Sequence, residues 1–131
     1  MDGSDALLAA AQAAFERAIA PFSHFHVGAA LETAAGQIIS GCNIENASYG
    51  LTMCAERVAM FTALSAGHRQ FRRILILADT ETPTPPCGAC RQILWEFGEN
   101  LEVLLANRHG IQARHRMADL LPGAFDARFL R

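Results

Sequence analysis

The sequence predicts an α/β fold: a mixed five-stranded sheet between helices on both faces, a three-layer α/β/α arrangement with an antiparallel last strand. Three observations predict it. Two apolar runs, Arg73-Ile74-Leu75-Ile76-Leu77-Ala78 and Leu101-Glu102-Val103-Leu104-Leu105-Ala106, have the composition of strands buried on both faces. Segments with helical spacing of apolar residues are interleaved with them. A short turn over 107–110 then joins the last two strands, which favours an antiparallel pair because a parallel one needs a crossover.

The elements follow in order. Ser4 is placed to cap a first helix over 5–20, where Leu7, Leu8, Ala11, Phe15, Ala18 and Ile19 recur at helical spacing and Pro21 supplies the stop. Residues 25–31 and 37–41 read as a hairpin around the turn 34–36. A loop rich in Asn and Gly (42–52) leads to a second helix over 53–65, closed by Gly67. After the strand at 73–78, a Pro/Thr loop (80–86) ends at Pro86, before a third helix over 87–97 that Gly98 terminates. The strand at 101–106 is followed by a more polar edge strand at 111–117 and a tail, 118–131, with a short helix expected near Leu120. The order α-ββ-α-β-α-ββ makes both strand–helix–strand units right-handed crossovers. With no repeat, linker or low-complexity segment, residues 1–131 read as one domain.

Composition narrows the function classes. Hydrophobic residues are 51% of the chain and charged ones 18%, enough for a proper core and against disorder. The net charge is −2 and no basic run exists; Arg72-Arg73 and Arg114-His115-Arg116 read as solvated surface, so no nucleic-acid partner is expected. The opening MDGSDALLAAAQAAF is acidic and lacks the basic start of a signal peptide, and no apolar run reaches bilayer length. A cytoplasmic protein with no membrane partner is expected. There Cys42, Cys54, Cys87 and Cys90 stay reduced, which points to metal or redox chemistry rather than disulfides.

Cys54 and the pair Cys87/Cys90 fall at helix starts, where oriented N–H groups stabilise thiolates. In Cys87-Gly88-Ala89-Cys90 the thiols are one helical turn apart and can reach one ion, and Cys54 can add a third ligand. Three thiolates leave zinc an open fourth position, the catalytic rather than the structural pattern. The pair alone is ambiguous between zinc and redox use, but a redox reading leaves Cys54 and Glu56 without a role. Zinc with three thiolates carries a net negative charge, so Arg57 and Arg91 are candidates to donate to the sulfurs and offset it. Glu56, beside the metal but not bound to it, is the candidate general acid and base. Cys42 reads as a small buried hydrophobe and Trp95 and Phe97 as core or subunit contacts. His24, His26, His68, His109 and His115 show no ligand spacing.

Five ordered motifs, SHFHVGAAL (23–31), GCNIENASYG (41–50), CAER (54–57), PCGACRQ (86–92) and LLPGAF (120–125), resemble those of the small homotetrameric zinc-dependent cytidine deaminases. The resemblance implies that fold, one zinc per subunit on Cys54, Cys87 and Cys90, and Glu56 as proton shuttle. It implies that Phe25 packs on the pyrimidine, that Asn43 and Glu45 bind the ribose 3′-hydroxyl, and that Ala55 offers backbone to the base. Ala47 and Tyr49 would reach the sugar from a neighbouring subunit, and Phe125 would be an aromatic lid lent by another. The implied activity is hydrolytic deamination of free cytidine and 2′-deoxycytidine in pyrimidine salvage; the alternative is a related aminohydrolase of a modified cytidine or an aminonucleoside antibiotic. The chain departs from the family at Ile19-Ala20-Pro21-Phe22-Ser23, where two tyrosines are usual, and at Val58, where threonine is frequent.

Overall fold

A computed structural model describes residues 2–130. Its elements are α1 (Ser4–Glu16), β1 (Val27–Thr33), β2 (Ile38–Cys42), α2 (Ala55–Ser65), β3 (Phe71–Ala78), α3 (Gly88–Gly98), β4 (Glu102–Asn107), β5 (Gly110–Arg116) and α4 (Met117–Leu120). The strands form one five-stranded sheet in the order β2-β1-β3-β4-β5. β3 and β4 are parallel, and the other neighbours, β5 included, are antiparallel. α3 thus joins adjacent parallel strands, while α2 passes over β1 to join β2 and β3, which flank it.

Side-chain alternation along the central strands explains their unbroken apolar runs. Val27, Ala29, Leu31, Ile74, Ile76, Val103 and Leu105 face α2, α3 and α4, packing on Ala59, Met60, Leu94 and Met117. The alternate residues Ala30, Leu75, Leu77, Leu104 and Ala106 face α1 through Leu7 and Ala11. Both faces are covered, so neither set of positions can be polar. β5, at the edge, alternates half-buried and exposed residues.

Two glycines set how closely the helices approach. A Cβ on Gly28 would lie 2.0 Å from the carbonyl oxygen of Ala11, and one on Gly41 would lie 2.5 Å from the backbone nitrogen of Ala59. Backbone meets backbone at both places. Gly41 has the larger consequence, because it seats the first turns of α2 directly on β2.

The element boundaries differ from expectation where side chains or loop pairing replace the regular ladder. α1 ends at Glu16, not near residue 20. Ile19 is captured instead by the following loop: its N–H donates to Asn43 O at 3.0 Å and its carbonyl accepts from Glu45 N at 2.8 Å. Ser4 is not the cap; Gly3 is, in left-handed conformation, and Ser4 donates through N and Oγ to Asp2 Oδ1 at 3.0 and 2.7 Å. β1 begins at Val27 because Asn43 bonds Phe25 and Val27 with its side chain. α2 begins at Ala55 because Met53 pairs with Ile44 in both directions at 2.9 Å.

Arg73 is not solvated surface. It is 6% exposed and its Nε bonds Glu32 Oε1 at 2.6 Å, with Glu32 itself 7% exposed. The antiparallel register places these residues opposite one another, and Nη2 also donates to the Asp2 carbonyl. A buried charge demands such pairing. Gly41→Ala is expected to force α2 off the sheet, costing on the order of 3 kcal/mol. A drop of roughly 10 °C in the calorimetric midpoint would register it; an unchanged midpoint would contradict the close packing.

Candidate metal centre and active site

Two helix starts meet at one end of the sheet. Cys54 is the N-cap of α2 and Cys87 that of α3, both with extended backbone, and Cys90 lies in the first turn of α3. Each cap residue ends a loop held by backbone pairing or proline, so the thiols are aimed before any ion binds. The three sulfurs lie within 4.8 Å of one another, and Cys87 and Cys90 are 3.6 Å apart. Sulfurs about 2.3 Å from a tetrahedral zinc stand roughly 3.8 Å from each other, so the cluster fits that ion with little movement. Cys90 is buried, Cys54 half-buried and Cys87 exposed, which leaves the approach open on the Cys87 side. Cys42, half-buried, is not in the cluster.

The charges around the sulfurs are ordered. Arg57 Nη2 donates to Cys54 Sγ at 3.3 Å. Arg57 Nε is buried without a hydrogen-bond partner, as a donor kept for further negative charge would be. Hydrogen bonds from Cys90 and Arg57 push the Cys54 thiol down to about 5, while donating to Cys54 and being buried push the Cys90 thiol up.

Glu56 is 5% exposed and lies against these sulfurs. Burial, aided by the Cys54 thiolate, pushes its carboxyl up to about 7. A group titrating there can both take and give a proton at neutral pH. Ala55, fully buried, is the first residue of α2, where a backbone N–H has no intrahelical acceptor.

Arg91 does not bear on the sulfurs as expected. Its Nε donates to Pro86 O at 2.7 Å and its Nη1 to Leu120 O at 2.8 Å. It fixes the turn before Cys87 to α4. Both carbonyls lie at the ends of helices or loops, where no regular ladder partner takes them up.

The remaining candidates occupy the loops beside the centre. Asn43 is buried, with Oδ1 accepting from Val27 N at 2.8 Å and Nδ2 donating to Phe25 O at 2.7 Å. Glu45 Oε1 accepts from Phe22 N and Ser23 N at 2.9 and 3.1 Å, and Oε2 accepts from the Ser23 hydroxyl. These bonds, from Ser23 among others, hold its carboxyl below the usual range. Together the two residues clamp the 22–27 loop and present Phe25, which is exposed. Tyr49, 74% exposed, meets Phe22 edge-on at 5.7 Å, and Phe22, Ser23, Glu45, Tyr49 and Thr52 line a concavity of about 390 Å³. Ala47 is exposed on the same loop, and Phe125 is exposed on the tail, stacked on Phe129. Ser23 and Thr52, whose Oγ1 accepts from Asn46 N at 3.1 Å, carry no periodic signal in the sequence, because their work is local to loops.

Sulfur ligands on two helix starts, an open side and a buried carboxylate define a metal-dependent hydrolase. The family model described as the cytidine and deoxycytidylate deaminase zinc-binding region matches residues 1–106. The chain belongs to this family of zinc-dependent enzymes. It is 49% identical over 120 residues to a cytidine deaminase of Sporosarcina psychrophila, covering 91% of this chain and 88% of the relative. It is 51% identical over 113 residues to one from Halalkalibacterium halodurans, covering 86% of each. The crystal structure of a cytidine deaminase from Burkholderia pseudomallei superimposes with a TM-score of 0.89 at 52% identity, over 92% of this chain and 98% of that one.

Arg57→Ala removes the donor to Cys54 and is expected to weaken zinc binding about 10–100-fold. Because protons compete with the ion for thiolates, the variant should also lose zinc at higher pH than the parent. A chromophoric chelator titration across pH measures both, and an unaltered profile would remove Arg57 from the centre.

Proposed function

We propose that this chain hydrolyses free cytidine and 2′-deoxycytidine to uridine and 2′-deoxyuridine with release of ammonia, as in pyrimidine salvage. The observation that carries the reading is the convergence of Cys54, Cys87 and Cys90 beside the buried Glu56. The named activities of relatives near half identity support it. Zinc on the three sulfurs supplies the Lewis acidity that makes water a nucleophile near neutral pH.

The chain's own residues do the rest. Glu56, poised near neutrality, takes the proton of the attacking water and passes it to ring N3, which makes C4 electrophilic. It then takes the second proton, from the hydroxyl now on C4, and delivers it to the amino group, so that ammonia leaves as the C4 carbonyl forms. Arg57 limits the negative charge on the sulfurs. Phe25 offers its ring to the pyrimidine, and the backbone of Ala55 meets the base. Asn43 and Glu45 have bonded the loop with only part of their capacity: one amide hydrogen and further lone pairs remain for the ribose 3′-hydroxyl.

Ala47, Tyr49 and Phe125 are exposed in the single chain, and this supports a homotetramer in which neighbouring subunits complete each site. A pocket closed by such a lid suits a free nucleoside rather than a polymer. A cytoplasmic enzyme is part of this reading, since its zinc needs Cys54, Cys87 and Cys90 reduced; no helix among the described residues is long and apolar enough to cross a membrane.

Glu56→Gln should keep its zinc and its fold and lose about 10²–10⁴-fold in turnover. The test follows the ultraviolet absorbance of cytidine, deoxycytidine and N4- or C5-modified cytidines, with zinc quantified on the same sample. Near-normal turnover of the variant would sink the role of Glu56. Parent enzyme full of zinc yet inert toward cytidine would sink the substrate.

A further inference from the structure

The tail beyond α4 is held by polar ties to α3. Asp126 is 8% exposed although Phe125 and Ala127 on either side are exposed. Its carboxylate accepts from Trp95 Nε1 at 2.9 Å, from the Arg128 backbone N at 3.0 Å, and from Arg128 Nε at 2.9 and 3.1 Å. One residue before it, the Phe125 carbonyl accepts from Gln92 Nε2 at 2.8 Å. Gln92 and Trp95 are three apart on α3 and so share a face of that helix. The backbone of Phe125 is therefore fixed on both sides by the helix whose first turn carries Cys90.

The result is a preset aromatic arm. Phe125 and Phe129 are 57% and 65% exposed and stack at 5.7 Å with an interplanar angle of 17°. The Arg128 guanidinium lies 5.9 Å over the Phe129 ring. A half-open hollow of about 420 Å³ lies between α3 and the tail, lined by Trp95, Glu99, Asp126 and Arg128, and the hydrogen bonds tie the segment across it. A buried carboxylate is costly without partners, and Trp95 and Arg128 supply them. Their hydrogen bonds keep the Asp126 carboxyl below the usual range, so the ties persist at neutral and mildly acid pH.

We propose that the Trp95–Asp126 hydrogen bond is a latch that presets Phe125 for closure over the nucleoside in a neighbouring subunit, which makes both members positioning residues for substrate binding. The proposal rests on the reading of Phe125 as that lid. A tail free to wander would have to be ordered at every closure, and the latch removes that cost in advance. A lid that contacts bound substrate throughout the reaction serves binding more than the chemical step, so its misplacement reads out in KM.

The test is a kinetic cycle on the zinc-loaded, assembled enzyme with cytidine. Trp95→Phe keeps the ring system apolar and deletes the N–H; Asp126→Ala deletes the carboxylate; Asp126→Asn keeps an acceptor for the indole. Trp95→Phe and Asp126→Ala should raise KM roughly 3–10-fold, the worth of one side chain that must be ordered afresh. Changes in kcat should stay within about twofold, with zinc content and elution volume as in the parent, and Asp126→Asn should recover most of the loss. Phe125→Ala should raise KM at least as far, and Trp95→Phe added to it should do no further harm.

A raised KM for Phe125→Ala with parental KM for Trp95→Phe and Asp126→Ala would overturn the latch and leave the lid standing. Parental KM for Phe125→Ala would remove the lid, and the latch with it. Multiplicative effects in the double variant would also overturn the latch, because Trp95 would then act by another route. Should Asp126→Ala fail to fold by circular dichroism, Trp95→Phe and Asp126→Asn decide the matter.

Discussion

The structure depends on the meeting of two helix starts. Cysteine thiols at Cys54 and Cys87 end extended loops, and the helices they begin point their free N–H groups at the same small volume. Negative charge is thereby made tolerable where sulfurs and a carboxylate crowd together. The same crowding is what gives Glu56 its use. Burial and a neighbouring thiolate would each be a liability to a structural carboxylate, and here both move it toward neutrality. Arg57 keeps the balance from going further, through its bond to Cys54. The depth of the site comes from the sheet, since Gly41 lets α2 sit directly on β2 and so carries Glu56 below the surface.

A second economy lies in the loops. Asn43 and Glu45 satisfy backbone groups at 22–27 that no strand partner reaches. A side chain that organises the loop is held in one rotamer by it, and its spare lone pairs are then aimed. The shape of the loop does not call for a phenolic hydroxyl at Ile19 or Phe22, because its bonds use the backbone of Phe22 and the hydroxyl of Ser23.

Much of this is legible in the sequence where one interaction dominates. Unbroken apolar runs reveal the central strands because both faces are covered, and the short turn at 107–110 reveals the antiparallel edge. Cys54, Cys87 and Cys90 are legible because metal binding tolerates few residue types and spacings. Arg73 is misread from sequence, since only the cross-strand register places Glu32 beside it. The first helix reads too long, because its competitor for Ile19 lies in a loop more than twenty residues on. Arg91 is misassigned because proximity in sequence to a ligand does not say which acceptor wins. In each case the deciding partner is remote in the chain and leaves no periodic trace.

The site also divides by mechanical character. Glu56 and Cys90 are buried at the helix starts, where small displacements meet close-packed neighbours, while Cys87 stays exposed on the open side. Of the groups proposed to recognise the nucleoside, Phe25, Ala47, Tyr49 and Phe125 stand exposed on loops and on the tail, while Asn43 and Ala55 are buried. Precision is needed where protons and charge move, and access is needed where substrate enters and leaves. A rigid core cannot supply access, and an exposed loop cannot supply precision unless something braces it. Asn43, Glu45 and Ser23 brace one such loop; Gln92, Trp95 and Asp126 brace the tail. Changes in the core should therefore show in turnover and metal retention, and changes in the braces should show in substrate affinity, even though α3 serves both.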